Sequence, residues 1–290
     1  LSGRALGPLA KVGQTLGRAN AAYVARGNLT RFLSAPRMRN SGATSMITNT
    51  ENSAIELHNV TLRLSEMGRP LLNGFNLTIK KGEKVAIVGR TGSGKTSLIK
   101  VIIGLLTPET GSIMISGSDV RQYARADLFR KVGTVFQESW LFSGTIRDNV
   151  AMGQDDCSEQ NIVDCLRAAG ANFIGEGTSA DLDFLIQDQG SNLSGGQRQS
   201  IMMARALAFN PDIFLFDEPT SAMDGLTESE VIASLSSNLG NKTLLVVTHK
   251  MPVVAMCDRV LVMDNGKLVG DGTKDAYFEL LQKQLQQKAK

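Results

Sequence analysis

Residues 84–96 read KVAIVGRTGSGKT, and SLIKVIIGLL follows. A strand-like apolar run, a loop with three glycines and a helix-like apolar run meet in one short stretch. The segment 89–96 satisfies G-x-x-x-x-G-K-[ST] in full, in the strand–loop–helix context that gives the motif its physical meaning. Glycines there let backbone N–H groups turn inward around a phosphate, and the helix N-terminus adds its dipole. The expected cradle is Gly89, Arg90, Thr91, Gly92, Ser93, Gly94, Lys95, Thr96 and Ser97. Lys95 is expected to reach the β- and γ-phosphates, and the Thr96 hydroxyl to hold Mg²⁺.

The rest of the chain suits such a loop. From Ile55 onward short β-rich runs appear: IELHNVTLRL, FNLTIK, KVAIVG, SIMISG, VGTVFQ, DIFLFD, TLLVVTH and RVLVMD. Helical patterns lie between several of them, over 95–105, 158–169, 196–208 and 226–239. Strand–helix alternation implies a parallel α/β core. KVAIV, GTVF, IFLF and TLLVV are nearly continuous apolar runs, so they read as central strands covered on both faces. The first two runs, separated by EMGRP, read as a small antiparallel addition. Residues 145–205 read as a helical insertion with no strong strand.

In an open α/β sheet, ligands lie at the carboxyl ends of strands. IFLFDE at 213–218 ends one strand in two carboxylates. Asp217 is expected to bind Mg²⁺ directly or through water. Glu218 is expected to orient and deprotonate the attacking water; a turn cap before Pro219 is the plainer role. TLLVVTH ends in His249, expected at the γ-phosphate. Gln137 ends GTVF in the same way, with an uncharged amide suited to the metal or its water.

A second loop is harder to place. DQGSNLSGGQRQ at 188–199 is glycine- and serine-rich and opens an apolar helix, IMMARALAF. One domain has little use for two phosphate loops. Together the pieces resemble the ATPase domain of an ABC transporter over about residues 55–285. The motifs fall in that family's order: GRTGSGKT, the strand ending at Gln137, LSGGQ at 193–197, IFLFDE, SAMD at 221–224, then His249. The resemblance implies a P-loop NTPase (RecA-like) α/β core, a small antiparallel β subdomain, and a helical subdomain over about 138–205 that carries LSGGQ. It also answers the second loop. In the family, LSGGQ closes over the ATP on the phosphate loop of another copy. Ser194, Gly195, Gly196 and Gln197 are therefore expected at a partner's γ-phosphate. Asp224 is expected to cross the interface of a head-to-tail homodimer around an ATP sandwich.

LFSGTIRDNV at 141–150 and DQGSNLSGGQ look like exporters, and LSGRALGPLAKVGQTL looks like the end of an exporter membrane domain. The likeness is greatest to type I secretion exporters, which move proteins out of Gram-negative cells. It implies a cytoplasmic face on the bacterial inner membrane, a fused membrane domain, and an exported substrate with a periplasmic adaptor and outer-membrane channel. Residues 9–33 carry an apolar stripe (Leu9, Val12, Leu16, Ala19, Tyr23) at helical spacing. The polar stretch APRMRNSGATSMITNTENS follows. Residues 1–35 are thus expected to be the stub of a last membrane helix and 36–54 a linker, in a chain that starts at Leu1 as part of something longer. Trp140 is expected either to be buried or to meet the membrane domain. Adenine in the family stacks on an aromatic residue; that slot falls on Leu64.

Composition removes rivals. A net charge of +3 gives no reason to expect nucleic acid as partner. Three cysteines without CxxC spacing and two histidines argue against a zinc site or disulfide framework. No apolar run approaches the about 20 residues needed to cross a bilayer. A soluble ABC ATPase of DNA repair or translation would need coiled-coil or tandem insertions. A degenerate half would lack Glu218 or His249. A separate importer ATPase would begin near its first strand, and lipid or drug exporters remain the neighbouring exporter classes.

Overall fold

The computed structural model describes residues 52–288 apart from 66–67, 138–139, 155–156 and 175–178, together with Tyr23 and Arg26, which are helical. The chain divides into two units, Leu1–Asn40 and Ser41–Lys290. Apart from Tyr23 and Arg26, the expected helix over 9–33 and most of the linker lie outside the described residues.

A six-stranded sheet forms the frame of the larger unit. Its strands are β3 (Lys84–Gly89), β6 (Val132–Val135), β9 (Ile213–Asp217), β10 (Thr243–Val247), β11 (Arg259–Asp264) and β12 (Lys267–Thr273), in the order β12-β11-β3-β10-β9-β6. All are parallel except β12, which returns antiparallel to β11. The pleat sends alternate residues to opposite faces. Ala86, Val88, Phe214, Phe216, Leu244 and Val246 enter one core, while Val85, Ile87, Ile213, Leu215, Leu245 and Val247 enter the other. Both faces are thus covered, which is why β3, β9 and β10 are apolar along their length.

GTVF departs from expectation. Its strand β6 lies at the sheet edge, beside β9 only. It is apolar because both of its faces are covered: Val135 enters the first core and Val132 the second, and a Cβ on Gly133 would lie 2.8 Å from the Ala206 carbonyl oxygen and from Pro211.

The second core is capped by a four-stranded antiparallel sheet of β1 (Ser53–Leu62), β2 (Leu72–Lys80), β4 (Thr110–Ile115) and β5 (Ser118–Asp119), ordered β2-β1-β4-β5. The antiparallel part is therefore larger than the first two runs. Helix α1 (Lys95–Ile102) packs under it, and α2 (Arg125–Lys131) leads into β6. The helical insertion holds α3 (Ile146–Ala151), α4 (Glu159–Ala168), α5 (Ser179–Leu182) and α6 (Gly195–Ala208). It also contains a two-residue ladder, β7 (Gly144–Thr145) with β8 (Leu185–Ile186), too short to show as a pattern. Helices α7 (Gly225–Asn238) and α8 (Met251–Ala255) flank β10, and α9 (Lys274–Lys288) follows β12. Among the described residues no helix is long and apolar enough to cross a membrane.

Candidate functional site

Strand β3 delivers the chain into the phosphate loop at the centre of the sheet. Gly89, Gly92 and Gly94 have φ of 154°, 79° and 101°, values that only glycine adopts cheaply. Two of them also allow close packing, since a Cβ on Gly89 would collide with the Met263 carbonyl and one on Gly94 with that of Leu71. Gly92 differs: nothing lies within 4 Å of its added Cβ. Its backbone faces a cavity of about 470 Å³. Gly94 is the N-cap of α1 and brings no capping side chain, so the first N–H groups of α1 are available to an anion. Lys95 is buried, and its ammonium donates to the carbonyls of Gly89 at 2.7 Å and Arg90 at 2.9 Å. Desolvation lowers its pKa, while Glu218 and Asp217 oppose that shift.

Register brings the rest of the constellation to the same edge. Val247 of β10 pairs with both Asp217 of β9 and Ile87 of β3. The cavity is lined by Thr91, Gly92, Gly94, Lys95, Thr96 and Ser97 from the loop, and by Gln137, Asp217, Glu218 and His249 from the neighbouring strand ends. Gly89, Arg90 and Ser93 shape the loop behind it. Asp217 is 1% exposed. Burial raises its pKa, against a hydrogen bond from Thr96 and the charge of Lys95. Its Oδ2 atom is buried with no hydrogen-bond partner, as is the Ser93 hydroxyl, and such groups are rare in folded proteins. An orphaned carboxylate oxygen beside the Thr96 hydroxyl, with the Gln137 amide on the same cavity, is a hard-oxygen donor set that fits Mg²⁺.

Glu218 adopts φ 51°, unusual for a residue with a side chain. Its N–H donates to the Val247 carbonyl at 2.9 Å, and its Oε1 lies 3.5 Å from His249 Nε2. Burial raises its pKa; the charge of His249 and that residue's backbone N–H pull it back.

The second loop builds a separate cavity of about 200 Å³, lined by Ser194, Gly196 and Gln197 with Met223, Asp224 and Thr227. Ser194 caps α6. Its hydroxyl accepts from the Gln197 N–H at 3.2 Å while the Gln197 side chain accepts from the Ser194 N–H at 2.8 Å, a capping box. Gly195 and Gly196 let this helix end meet the segment after Glu218: their added Cβ atoms would lie 3.0 Å from Ala222 Cβ and 3.2 Å from its carbonyl oxygen. Asp224 caps α7, accepting from the N–H groups of Leu226 and Thr227 at 3.0 Å. The expected residues thus divide into two groups on one chain.

Several contributors were not legible beforehand. Leu71, not Leu64, supplies an apolar wall of the larger cavity; Leu64 is 69% exposed and does not line it. Lys250, next to His249, lines the cavity and donates to the Thr220 carbonyl at 2.7 Å. It also pairs with Glu228 at 3.0 Å, and the Thr220 hydroxyl donates to Glu228 at 2.6 Å. The amide of Gln199 is buried between α6 and residues 218–222. Trp140 is 62% exposed, so burial does not explain it.

A mostly parallel sheet with a phosphate loop at its centre and two carboxylates at the end of the next strand but one defines a P-loop nucleotide-binding domain. The family model described as ABC transporter matches residues 72–221. The alpha-hemolysin translocation ATP-binding protein HlyB of Escherichia coli O157:H7 is 39% identical over 219 residues, 76% of this chain and 31% of that protein. The ATP-dependent lipid A-core flippase of Syntrophus aciditrophicus (strain SB) is 36% identical over 240 residues, 80% of this chain and 40% of the flippase. A solved bacterial Atm1-family ABC exporter with ATP bound superposes with a TM-score of 0.77 at 27% identity, covering 91% of this chain and 46% of that one. The chain belongs to the ABC transporter family, and what it spans is the ATP-binding domain. It covers 31% of the length of HlyB and 40% of that of the flippase.

Proposed function

We propose that this domain hydrolyses Mg-ATP as one half of a head-to-tail homodimer, and that hydrolysis powers export through a fused membrane domain at the cytoplasmic face of the bacterial inner membrane. The observation that carries this reading is the division of the site. One cavity holds Lys95, Asp217, Glu218 and His249; the other holds Ser194, Gly196 and Gln197 at a helix N-terminus. Each suits a different part of one nucleotide, and two copies arranged head to tail complete both.

In that arrangement the N–H groups of the loop and α1, with Lys95, bind the phosphates. Thr96, Asp217 and Gln137 would hold Mg²⁺, which supplies charge neutralisation on the β- and γ-phosphates. Glu218, with its pKa raised by burial, takes a proton from the attacking water. His249 reaches both Glu218 and the γ-phosphate position. The Ser194 hydroxyl and the N–H groups of Gly195 and Gly196 meet the γ-phosphate bound by the other copy, and Asp224 stands beside them.

HlyB is named a translocation ATP-binding protein, and this chain is 39% identical to it, which supports export of a protein or peptide with a periplasmic adaptor and an outer-membrane channel. A lipid cargo is the second reading, supported by 36% identity to a lipid A-core flippase. The exposed Trp140 and Phe142 suit contact with the membrane domain.

The test is light scattering of the Glu218→Gln protein, which should be a monomer without nucleotide and a dimer with Mg-ATP. Adding Ser194→Arg should block the dimer while each monomer still binds ATP. Loss of ATP binding by that monomer would refute the assignment of the second loop to a partner's nucleotide.

A further inference from the structure

Gln199 lies one turn beyond Gly195, on the face of α6 that meets residues 218–222. It is 6% exposed. Its Oε1 accepts the Ala222 N–H at 2.9 Å, and its Nε2 donates to the Ser221 hydroxyl at 2.7 Å and to the Glu218 carbonyl at 3.3 Å. Both amide N–H groups and the oxygen are engaged, and all three partners belong to the segment that joins β9 to α7.

That segment needs outside support. It has no ladder of its own, and it carries Glu218 at φ 51°. The peptide unit before Glu218 is fixed from β10, through the Glu218 N–H on the Val247 carbonyl at 2.9 Å. The unit after it is fixed from α6, through the Glu218 carbonyl on Gln199, with the Ser221 N–H on the same carbonyl at 3.2 Å. The direction of the Glu218 side chain is therefore set jointly by β10 and by α6. Helix α6 is the element whose first residues line the second cavity.

We propose that Gln199 is a positioning residue that joins the two half-sites of one chain. It transmits the position of the α6 N-terminus to the backbone of Glu218. When Ser194, Gly195 and Gly196 close on the nucleotide of a second copy, α6 settles, and Gln199 fixes the Glu218 carboxylate over the chain's own nucleotide. Hydrolysis at one site thereby depends on occupancy of the other. The inference rests on the head-to-tail reading above.

Two variants test it in the full chain. Gln199→Met keeps the size and removes every hydrogen bond. Gln199→Glu keeps an acceptor for the Ala222 N–H and, in its ionised form, offers the Glu218 carbonyl no donor. Gln199 lies outside the phosphate-loop cavity, so ATP affinity should stay within about threefold of the parent in both. Small misplacement of a catalytic group costs on the order of 10²-fold, so kcat should fall roughly 10- to 100-fold with KM nearly unchanged. The ATP dependence of the rate should lose any sigmoid shape, while ATP should still drive dimers when Glu218→Gln is added. A folded variant with the parent's kcat overturns the inference. So does a parallel loss of ATP affinity, or failure of both variants to fold, because either marks Gln199 as a structural residue. If the Glu218→Gln parent never dimerises with ATP, the head-to-tail reading falls first and takes this inference with it.

Discussion

Replacing Glu218 with Gln separates three consequences of one buried carboxylate. The amide keeps the shape and can still accept the backbone N–H of His249, but it cannot take a proton from water. Loss of a general base costs about 10²–10⁴ in rate, equal to about 2.7–5.4 kcal/mol of barrier. ATP affinity should hold, because Lys95, the phosphate-loop N–H groups and Asp217 are untouched. Single-turnover phosphate release with saturating Mg-ATP measures the first effect, and nucleotide titration measures the second. Turnover within a few-fold of the parent would remove Glu218 from the catalytic role.

The third consequence is stability. Burial raises the pKa of Glu218 above its ordinary value of 4.5. A group with a raised folded-state pKa contributes its full stabilisation below the unfolded pKa and loses it as pH rises through the folded one. At neutral pH the ionised Glu218 therefore weakens the nucleotide-free fold, and Gln should raise the melting temperature. The gap between the two proteins should be widest above the folded pKa and should close below about pH 4.5. A lower melting temperature for Glu218→Gln at neutral pH would refute the reasoning about burial.

Lys95→Ala removes both the ammonium and the brace on the Gly89 and Arg90 carbonyls; hydrogen bonds to charged groups are worth about 1.5–3 kcal/mol, so titration should show ATP affinity roughly 10- to 150-fold weaker. Glu228→Ala leaves Lys250 and Thr220 without their shared partner. Breaking a buried pair costs about 3–5 kcal/mol, and because Lys250 is 29% exposed we expect about 3, read as a melting temperature roughly 6–12 °C lower. Leu64→Tyr tests the expectation, drawn from the sequence resemblance, that this exposed position meets adenine. Stacking is worth about 1–3 kcal/mol, so ATP should bind roughly 5- to 150-fold more tightly with little change in maximal rate; equal affinities would exclude Leu64 from the base site.

The strand ends that line the larger cavity were readable because each couples an apolar run to a polar terminus. KVAIV runs into the glycine loop, IFLF into Asp217 and Glu218, and TLLVV toward His249. A buried parallel strand leaves that signature whatever its neighbours are. Its place in the sheet leaves none, and so GTVF read as central although β6 is an edge strand, covered on both faces all the same. The strand β12, KLVGDGT, carries two glycines and alternates exposed with half-buried residues, which hides it among turns. The cavity wall at Leu71 was hidden for another reason: it depends on the antiparallel sheet folding back over the phosphate loop, where the Leu71 carbonyl lies against Gly94.

Gln199, Lys250 and Glu228 show what a linear motif leaves out. Each reads as an ordinary polar residue in a helix or turn, and their partners lie 8–30 positions away. Gln199 carries one faint signal: it follows Gly195 by four residues, so both lie on one face of α6, and the glycine there marks a close approach of backbone. What approaches is the segment 218–222, and a buried amide is the group able to serve its exposed N–H and C=O together. The carboxylate proposed as the general base is thus tethered by its main chain to the helix whose first residues line the second cavity. A domain built this way has a physical reason to be slow alone and fast in pairs.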